Sequence, residues 1–373
     1  KLSGVWIMAY TTIDDPSAYF QVATYTGNNS SLAITNDGNS NLQPDMLWAK
    51  NRSNARDHAL FNSSLDSTRD FHIVNGQAGE QQSASGKDLV SFDTDGFTLA
   101  ANQLNVVNNA SETYVAWQWK VNGGTTTSVS ASGTGSGCVN ACTHQANTTA
   151  GISIILYTGR DDQLSNAQES KLTHGLGVAP TFTIMKRRDA TADWYVMGKN
   201  VTSASAYSTN EYLSINDTDS INGNSYTGDT APDSTHIFLG NELVNVADAL
   251  YICYAFAEKQ GYSKFGSYVG NGNANGPFVY TGFKPAFVMC KNATTAGDNW
   301  EIRDNKRNDF NPQGKALYPN LTAAEYNATA IATDSLSNGF KVRATDHGLN
   351  ESGQTYIYMA FAENPFVTST GIP

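Results

Sequence analysis

One run of landmarks occurs three times in this chain in the same order, and that repeat limits its fold more than any other feature. The clearest landmark is a strand-like segment, Tyr114-Val115-Ala116-Trp117-Gln118-Trp119. It is matched by Tyr251-Ile252-Cys253-Tyr254-Ala255-Phe256 and by Tyr356-Ile357-Tyr358-Met359-Ala360-Phe361. Each copy opens on a segment that ends in glycine: Thr24-Tyr25-Thr26-Gly27, Tyr157-Thr158-Gly159 and Tyr268-Val269-Gly270. A proline then leads an apolar run closed by lysine: Pro44 to Lys50, Pro180 to Lys186 and Pro285 to Lys291. Next come Asp57-His58-Ala59-Leu60-Phe61, Asp193-Trp194-Tyr195-Val196 and Asn299-Trp300-Glu301-Ile302. Phe97, Phe238 and Phe340 precede the Tyr segment in each copy.

These segments are short, rich in Val, Ile, Tyr, Phe and Trp, and bounded by Gly, Asn, Asp and Pro, which is the signature of strands. No stretch carries a capped 3.6-residue period; Leu321 to Tyr326 is the one weak helical candidate, a turn or two long. In the Tyr segment Val115, Trp117 and Trp119 share one face, as do Ile357, Met359 and Phe361. The opposite face, with Tyr356, Tyr358, Ala360 and Ala362, is apolar too, so the strand belongs in a sheet covered on both sides. The fold class expected is all-β, in three tandem antiparallel β-sandwich units of the jelly-roll or lectin-like kind. Residues 1–120 form the first unit, with 1–19 an incomplete leading strand read from Leu2 to Tyr10. Residues 121–150, rich in Gly, Ser and Thr, read as a linker or long loop. Residues 151–260 and 261–373 form the other two units, packed rigidly across a short junction, with the first unit the more mobile.

Charged residues make up only 15% of the chain, below the roughly 25% usual for globular proteins, so Asn, Ser, Thr, Gln and Gly supply the polar surface. The net charge of −11 and the scatter of Lys and Arg argue against nucleic acid, the densest basic run being Lys186-Arg187-Arg188 beside Asp189 and Asp193. No run of apolar residues is long enough to span a membrane as a helix. The opening residues lack the pattern of a signal peptide.

Catalytic and metal chemistry finds no foothold. Cys138 and Cys142 could close a small disulfide loop, and with only His144 nearby a metal site there is disfavoured. Cys253 and Cys290 read as buried thiols. Asp93 with Asp95, and Asp161 with Asp162, read as turn residues rather than paired acids, and Asp93-Thr94-Asp95-Gly96 lacks the later ligands of a calcium loop. His58, His72, His144, His174, His236 and His347 are scattered, with no nucleophile elbow to anchor a triad. Gly270-Asn271-Gly272 has no following helix to cradle a phosphate. The sequons Asn51-Arg52-Ser53 and Asn292-Ala293-Thr294 fit chance in such a composition. Trp117, Trp119, Trp194 and Trp300 recur at strand positions and read as core, while Trp6 and Trp48 are open. Tyr207 and Tyr226, in the second unit's insertion, are the candidates for contacting an outside ligand.

Several of these segments resemble a family of uncharacterised repeats found in appendage proteins of tailed bacteriophages, especially those of marine and cyanobacterial hosts. They are Gly175 to Pro180, Tyr262 to Gly266, Phe278 to Met289, and Tyr356 to Phe366 with its ending Phe361-Ala362-Glu363-Asn364-Pro365-Phe366. The resemblance covers roughly residues 20 to 370 and is weakest in the first copy, where Trp117-Gln118-Trp119 replaces Tyr-Ala-Phe. It implies a virion protein of concanavalin- or LamG-like sandwich units exposed on the particle surface, and it carries no catalytic or binding residues. Two expectations follow. One is a non-enzymatic tail-fibre or tail-associated protein that recognises host cell-surface polysaccharide as a homo-oligomer among other virion proteins, gaining avidity from repetition. The other is a purely architectural virion protein, a capsid decoration or head fibre. Neither needs a cofactor, and a polysaccharide depolymerase is a distant third.

Overall fold

The computed structural model describes residues 11–68, 70–160, 169–198, 211–223, 230–240, 243–307 and 310–365. The chain is nearly all β, built of antiparallel sheets. One four-strand frame occurs three times. Its opening strands are Phe20–Thr26, Ile152–Thr158 and Ser263–Val269. Each pairs with a Tyr strand, Thr113–Trp119, Leu250–Phe256 or Thr355–Phe361. The Tyr strand pairs on its other side with a Lys strand, Met46–Asn51, Phe182–Arg187 or Phe287–Asn292. An outer strand follows, His58–Asn62, Trp194–Gly198 or Glu301–Asp304. Registers agree across copies: Val22, Trp117, Trp48 and Leu60 form a row, as do Ile154, Tyr254, Ile184 and Val196, then Phe265, Met359, Met289 and Ile302.

The two apolar faces of each large sheet serve different purposes. One face packs on a smaller sheet of the same unit, making three separate cores. These smaller sheets contain Leu32–Ile34 with Phe97–Leu99, Ser170–Thr173 with His236–Leu239, and Phe278–Tyr280 with Gly339–Val342. The other face enters one core shared by all three units. Val115, Trp117 and Trp119 meet Ile252, Tyr254 and Phe256 there, together with Ile357, Met359 and Phe361. Phe20 packs on Phe287 and Phe361, Phe182 on Phe265, Phe256 on Phe361, and His72 on Trp194, so ring contacts cross every unit boundary. Trp48 is buried, like the other four core tryptophans, Trp117, Trp119, Trp194 and Trp300.

Hydrogen bonds repeat around this shared core in one direction. Trp194 Nε1 of the second unit donates to the Ile73 carbonyl of the first at 3.1 Å, and Trp300 Nε1 of the third donates to the Ser214 carbonyl of the second at 2.7 Å. The first unit has His58 in that slot, facing the Tyr318 backbone of the third. The recurrent lysines follow the same rule. Lys186 Nζ reaches Gln77 O, Lys291 Nζ reaches Thr218 O, and Lys50 Nζ reaches Thr322 O, at 2.7, 3.4 and 3.1 Å. The same three carbonyls accept from the backbone of Ala192, Gly297 and Arg56. The three units therefore form a closed, head-to-tail, pseudo-threefold ring within one chain. All three lysines are fully buried, which pulls Lys50 down to about 7 and Lys186 and Lys291 to about 8.

Other landmarks acquire causes. A Cβ at Gly27, Gly159 or Gly270 would stand 2.2, 2.0 or 2.3 Å from a backbone carbonyl of the loop entering the Tyr strand, so only glycine fits. Tyr25 stacks on Tyr114, Tyr157 on Tyr251, and Tyr268 on Tyr356, with ring centroids 5.0–5.1 Å apart. Three expectations change. The segment 121–150 is no simple linker or loop, since Thr127–Val129 and Cys142–Asn147 extend the second unit's large sheet beyond its opening strand. The first unit is not loosely tethered, because the shared core and two joints hold it. Leu321–Tyr326 forms no helix; Tyr326–Asn327 pairs as a short strand, and the α-helical turn in the described residues is His347–Asn350. The leading stretch from Leu2 to Tyr10, with Trp6, lies outside the described residues.

Candidate functional site

Most candidates drawn from the sequence prove to be structural. Cys138 and Cys142 are free and buried rather than bridged, and Cys253 and Cys290 are buried, with burial pushing the Cys290 thiol up to about 12. Among the described residues no three His, Cys, Asp or Glu side chains are placed to hold a metal. The basic run is consumed internally: Arg187 pairs with Asp189, Arg188 with Glu80 of the first unit, and Lys186 with carbonyls. Asp93 accepts from Ser91 and Thr98 hydroxyls, and Asp95 from the Leu42 amide. Asn51 and Asn292, the sequon residues, are buried and accept backbone amides in matching turns. His58 and His72 are buried and held neutral: burial and the Lys50 charge push His58 well below its ordinary value, and burial with Arg188 and Lys186 pushes His72 to about 3. Asp161, Asp162, Tyr207 and Tyr226 lie outside the described residues.

The site the structure adds is a cleft on the third unit, of about 290 Å³, lined by Asp298, Glu301, Tyr318, Tyr326, Asp346 and Gly348 among others. Tyr318 is half-buried and Tyr326 is 49% exposed, their rings 6.4 Å apart and tilted by 36°. Glu301 lies on the outer strand, buried, with Oε2 accepting from Arg303 Nη2 at 2.6 Å. Burial raises its carboxyl above the ordinary range, against the pull of Arg303. Asp346 caps the His347–Asn350 turn through Gly348 N at 2.8 Å, and Asp298 accepts from Asn292 Nδ2 at 2.7 Å. Carboxylate oxygens beside exposed aromatic faces can accept hydroxyl hydrogens while a ring face stacks.

The second unit has a depression of about 340 Å³ at the equivalent place, lined by Asp193, Tyr195, Tyr251 and Leu243, but Asp193 there is taken by Gln77 and Asn216. A larger, shallow hollow of about 560 Å³ lies along Ser128–Ala131 and Arg188, whose guanidinium is committed to Glu80. Sequence reasoning reaches Glu301 as a strand residue and Tyr326 as the end of a weak helical segment, and misses Asp346, Gly348 and Tyr318. A signal was present: the positions of Glu301 and Arg303 are Ala59 and Phe61 in the first copy and Tyr195 and Met197 in the second.

No curated protein and no solved structure matches this chain. One family match runs through all three units, over residues 15–365, and the chain belongs to that family, described as domain of unknown function DUF7483.

Proposed function

We propose that this chain is a non-enzymatic virion protein of a tailed bacteriophage, a tail-fibre or tail-associated appendage that recognises host cell-surface glycans. The observation that carries the recognition half of this reading is the third-unit cleft, where Tyr318 and Tyr326 stand beside the carboxylates of Glu301, Asp298 and Asp346. Pockets that combine aromatic faces with a few convergent polar groups are the usual form of small-ligand sites. The assignment to a phage particle rests on the resemblance of the repeat landmarks. The architectural alternative draws on the ring: its recurrent lysines and tryptophans are spent on the joints between units, and its recurrent glycines on turns within each unit.

A glycan array of host-derived polysaccharides, probed with the purified chain, tests recognition. Binding to at least one host glycan is expected; no binding to any would favour the architectural protein. Release of sugar from host envelope would contradict the non-enzymatic part, and labelled chain located on the head rather than the tail would contradict the placement.

A further inference from the structure

The three copies of the frame allow each residue of the cleft to be compared with its counterparts in the same molecule. At the outer strand the first two units place Ala59 and Phe61, then Tyr195 and Met197, where the third places Glu301 and Arg303. Stability does not call for this exchange, since a buried ion pair is commonly no better than the apolar residues it replaces. Arg303 Nε, moreover, is buried with no hydrogen-bond partner. A second exchange accompanies the first. Two residues ahead of the buried Asn108, Asn245 and Asn350 stand Val106, Leu243 and Gly348. A Cβ at Gly348 would lie 2.7 Å from Glu301 Oε1 and 3.0 Å from Asp346 Oδ1. The third unit thus introduces a buried acid and, in a separate loop, removes the side chain that would cover it.

Only Glu301 Oε2 is engaged by Arg303; among the described residues no hydrogen bond reaches Oε1, which lies on the side of Gly348, another residue lining the cleft. With the side chain 4% exposed, that oxygen is an acceptor held rigidly at a cleft wall. A cation does not fit these acids, because no three of them are placed around one point. The volume, about 290 Å³, sits at the small end of the roughly 300–1,000 Å³ range of ligand pockets, which suits a single ring. Tyr326 offers a face for that ring to stack on.

We infer that the third-unit cleft is a binding site for one non-acidic pyranose ring, neutral or amino-substituted, with Glu301 Oε1 and Asp346 accepting its hydroxyl or ammonium hydrogens and Tyr326 stacking on its face. This deepens the glycan-recognition reading and rests on it. Acidic sugars are excluded by the three carboxylates around the cleft. The first and second units do not share this arrangement, so among the described residues there is one such site rather than three.

Saturation-transfer NMR with neutral, amino and uronic monosaccharides tests this on the intact chain and on Tyr326→Ala, Glu301→Gln and Gly348→Ala. Transfer to neutral or amino sugars is expected, with none to uronic acids and at least a tenfold weakening in each variant. Tyr326 is surface-exposed, so its variant keeps the test informative even where Glu301→Gln unfolds. Undiminished binding in Tyr326→Ala and in folded Glu301→Gln would overturn the site while leaving glycan recognition standing. Preference for uronic acids would overturn the ligand class. Absence of binding to every saccharide, here and on the array, would remove both readings.

Discussion

Two joints of the ring follow the chain, and the third must close it. Between the first and second units, and between the second and third, the polypeptide runs across the boundary, and a tryptophan donates to a carbonyl of the neighbour. At the closing joint, between first and third units, no peptide link exists and the tryptophan slot holds His58, which accepts from Trp48 at 3.0 Å. A buried polar network takes its place. Asp304 accepts from Arg307 at 2.6 Å and from Trp117 Nε1 of the first unit at 3.0 Å. Arg307 also meets Glu325, which pairs with Arg52 of the first unit, and its guanidinium stands over the Trp117 ring. Glu363 accepts from the Val22 amide, and Lys306 reaches Asp37. Joints tethered by the chain start from a high effective concentration. Every joint carries a buried lysine, and the first–second joint adds Arg188 with Glu80, but the untethered joint alone adds a fully buried ion pair, Arg307 with Asp304, linked to Trp117 of the first unit.

The largest effects are expected where the comparison is sharpest. Trp300→Ala should cost about 3–5 kcal/mol in urea unfolding, by cavity formation and loss of the bond to Ser214. His58→Ala, in the same slot, should cost clearly less; equal losses would erase the distinction between the joints. At the closing joint Arg307→Met should cost about 3 kcal/mol or more by stranding Asp304, and adding Asp304→Leu should recover much of it in a double-mutant cycle. A merely additive pair would break the idea of a network.

Acid should act through buried histidines, most strongly His58 and His72 of the first unit, with His144 and His174 of the second also lowered by burial. His58 and His72 are neutral when folded, so below the unfolded value of about 6.5 only the unfolded chain takes up their protons. Stability should therefore fall as pH drops from about 6.5 towards 5, by at most ~1.4 kcal/mol per pH unit for each histidine. Glu301 and Glu363, raised by burial, contribute in the opposite sense, their share present below the carboxylate range and lost as pH rises through it. His72→Phe should reduce the slope in urea midpoints measured across that window. Smallest of all, Arg187→Ala should change stability by less than about 0.5 kcal/mol, since its pair with Asp189 is partly exposed and spans no joint.

How much of this was legible beforehand depends on distance along the chain. The period-2 pattern of Val115, Trp117 and Trp119 announced a strand with two covered faces, because alternation is local. What covered the second face was not local, and a linker with a mobile first unit was read where the structure has a shared core. The lysines ending each Lys strand were visible as landmarks, yet their partners, such as Thr322 for Lys50, lie in another unit. Strands inside 121–150 were hidden by a Gly- and Thr-rich composition that resembles a linker until a sheet edge receives it. The cleft was illegible for a similar reason: Glu301 and Asp346 meet only through the fold, and the informative absence at Gly348 has no motif.

The central claim is that three units share one cooperative structure. Native-state hydrogen exchange, followed on amides of the Tyr strands 113–119, 250–256 and 355–361, tests it directly. The closed ring predicts that all three strands exchange through the same opening, with one free energy and one denaturant dependence. Exchange of the first unit's strand at a distinctly lower free energy, while the other two stay protected, would contradict it.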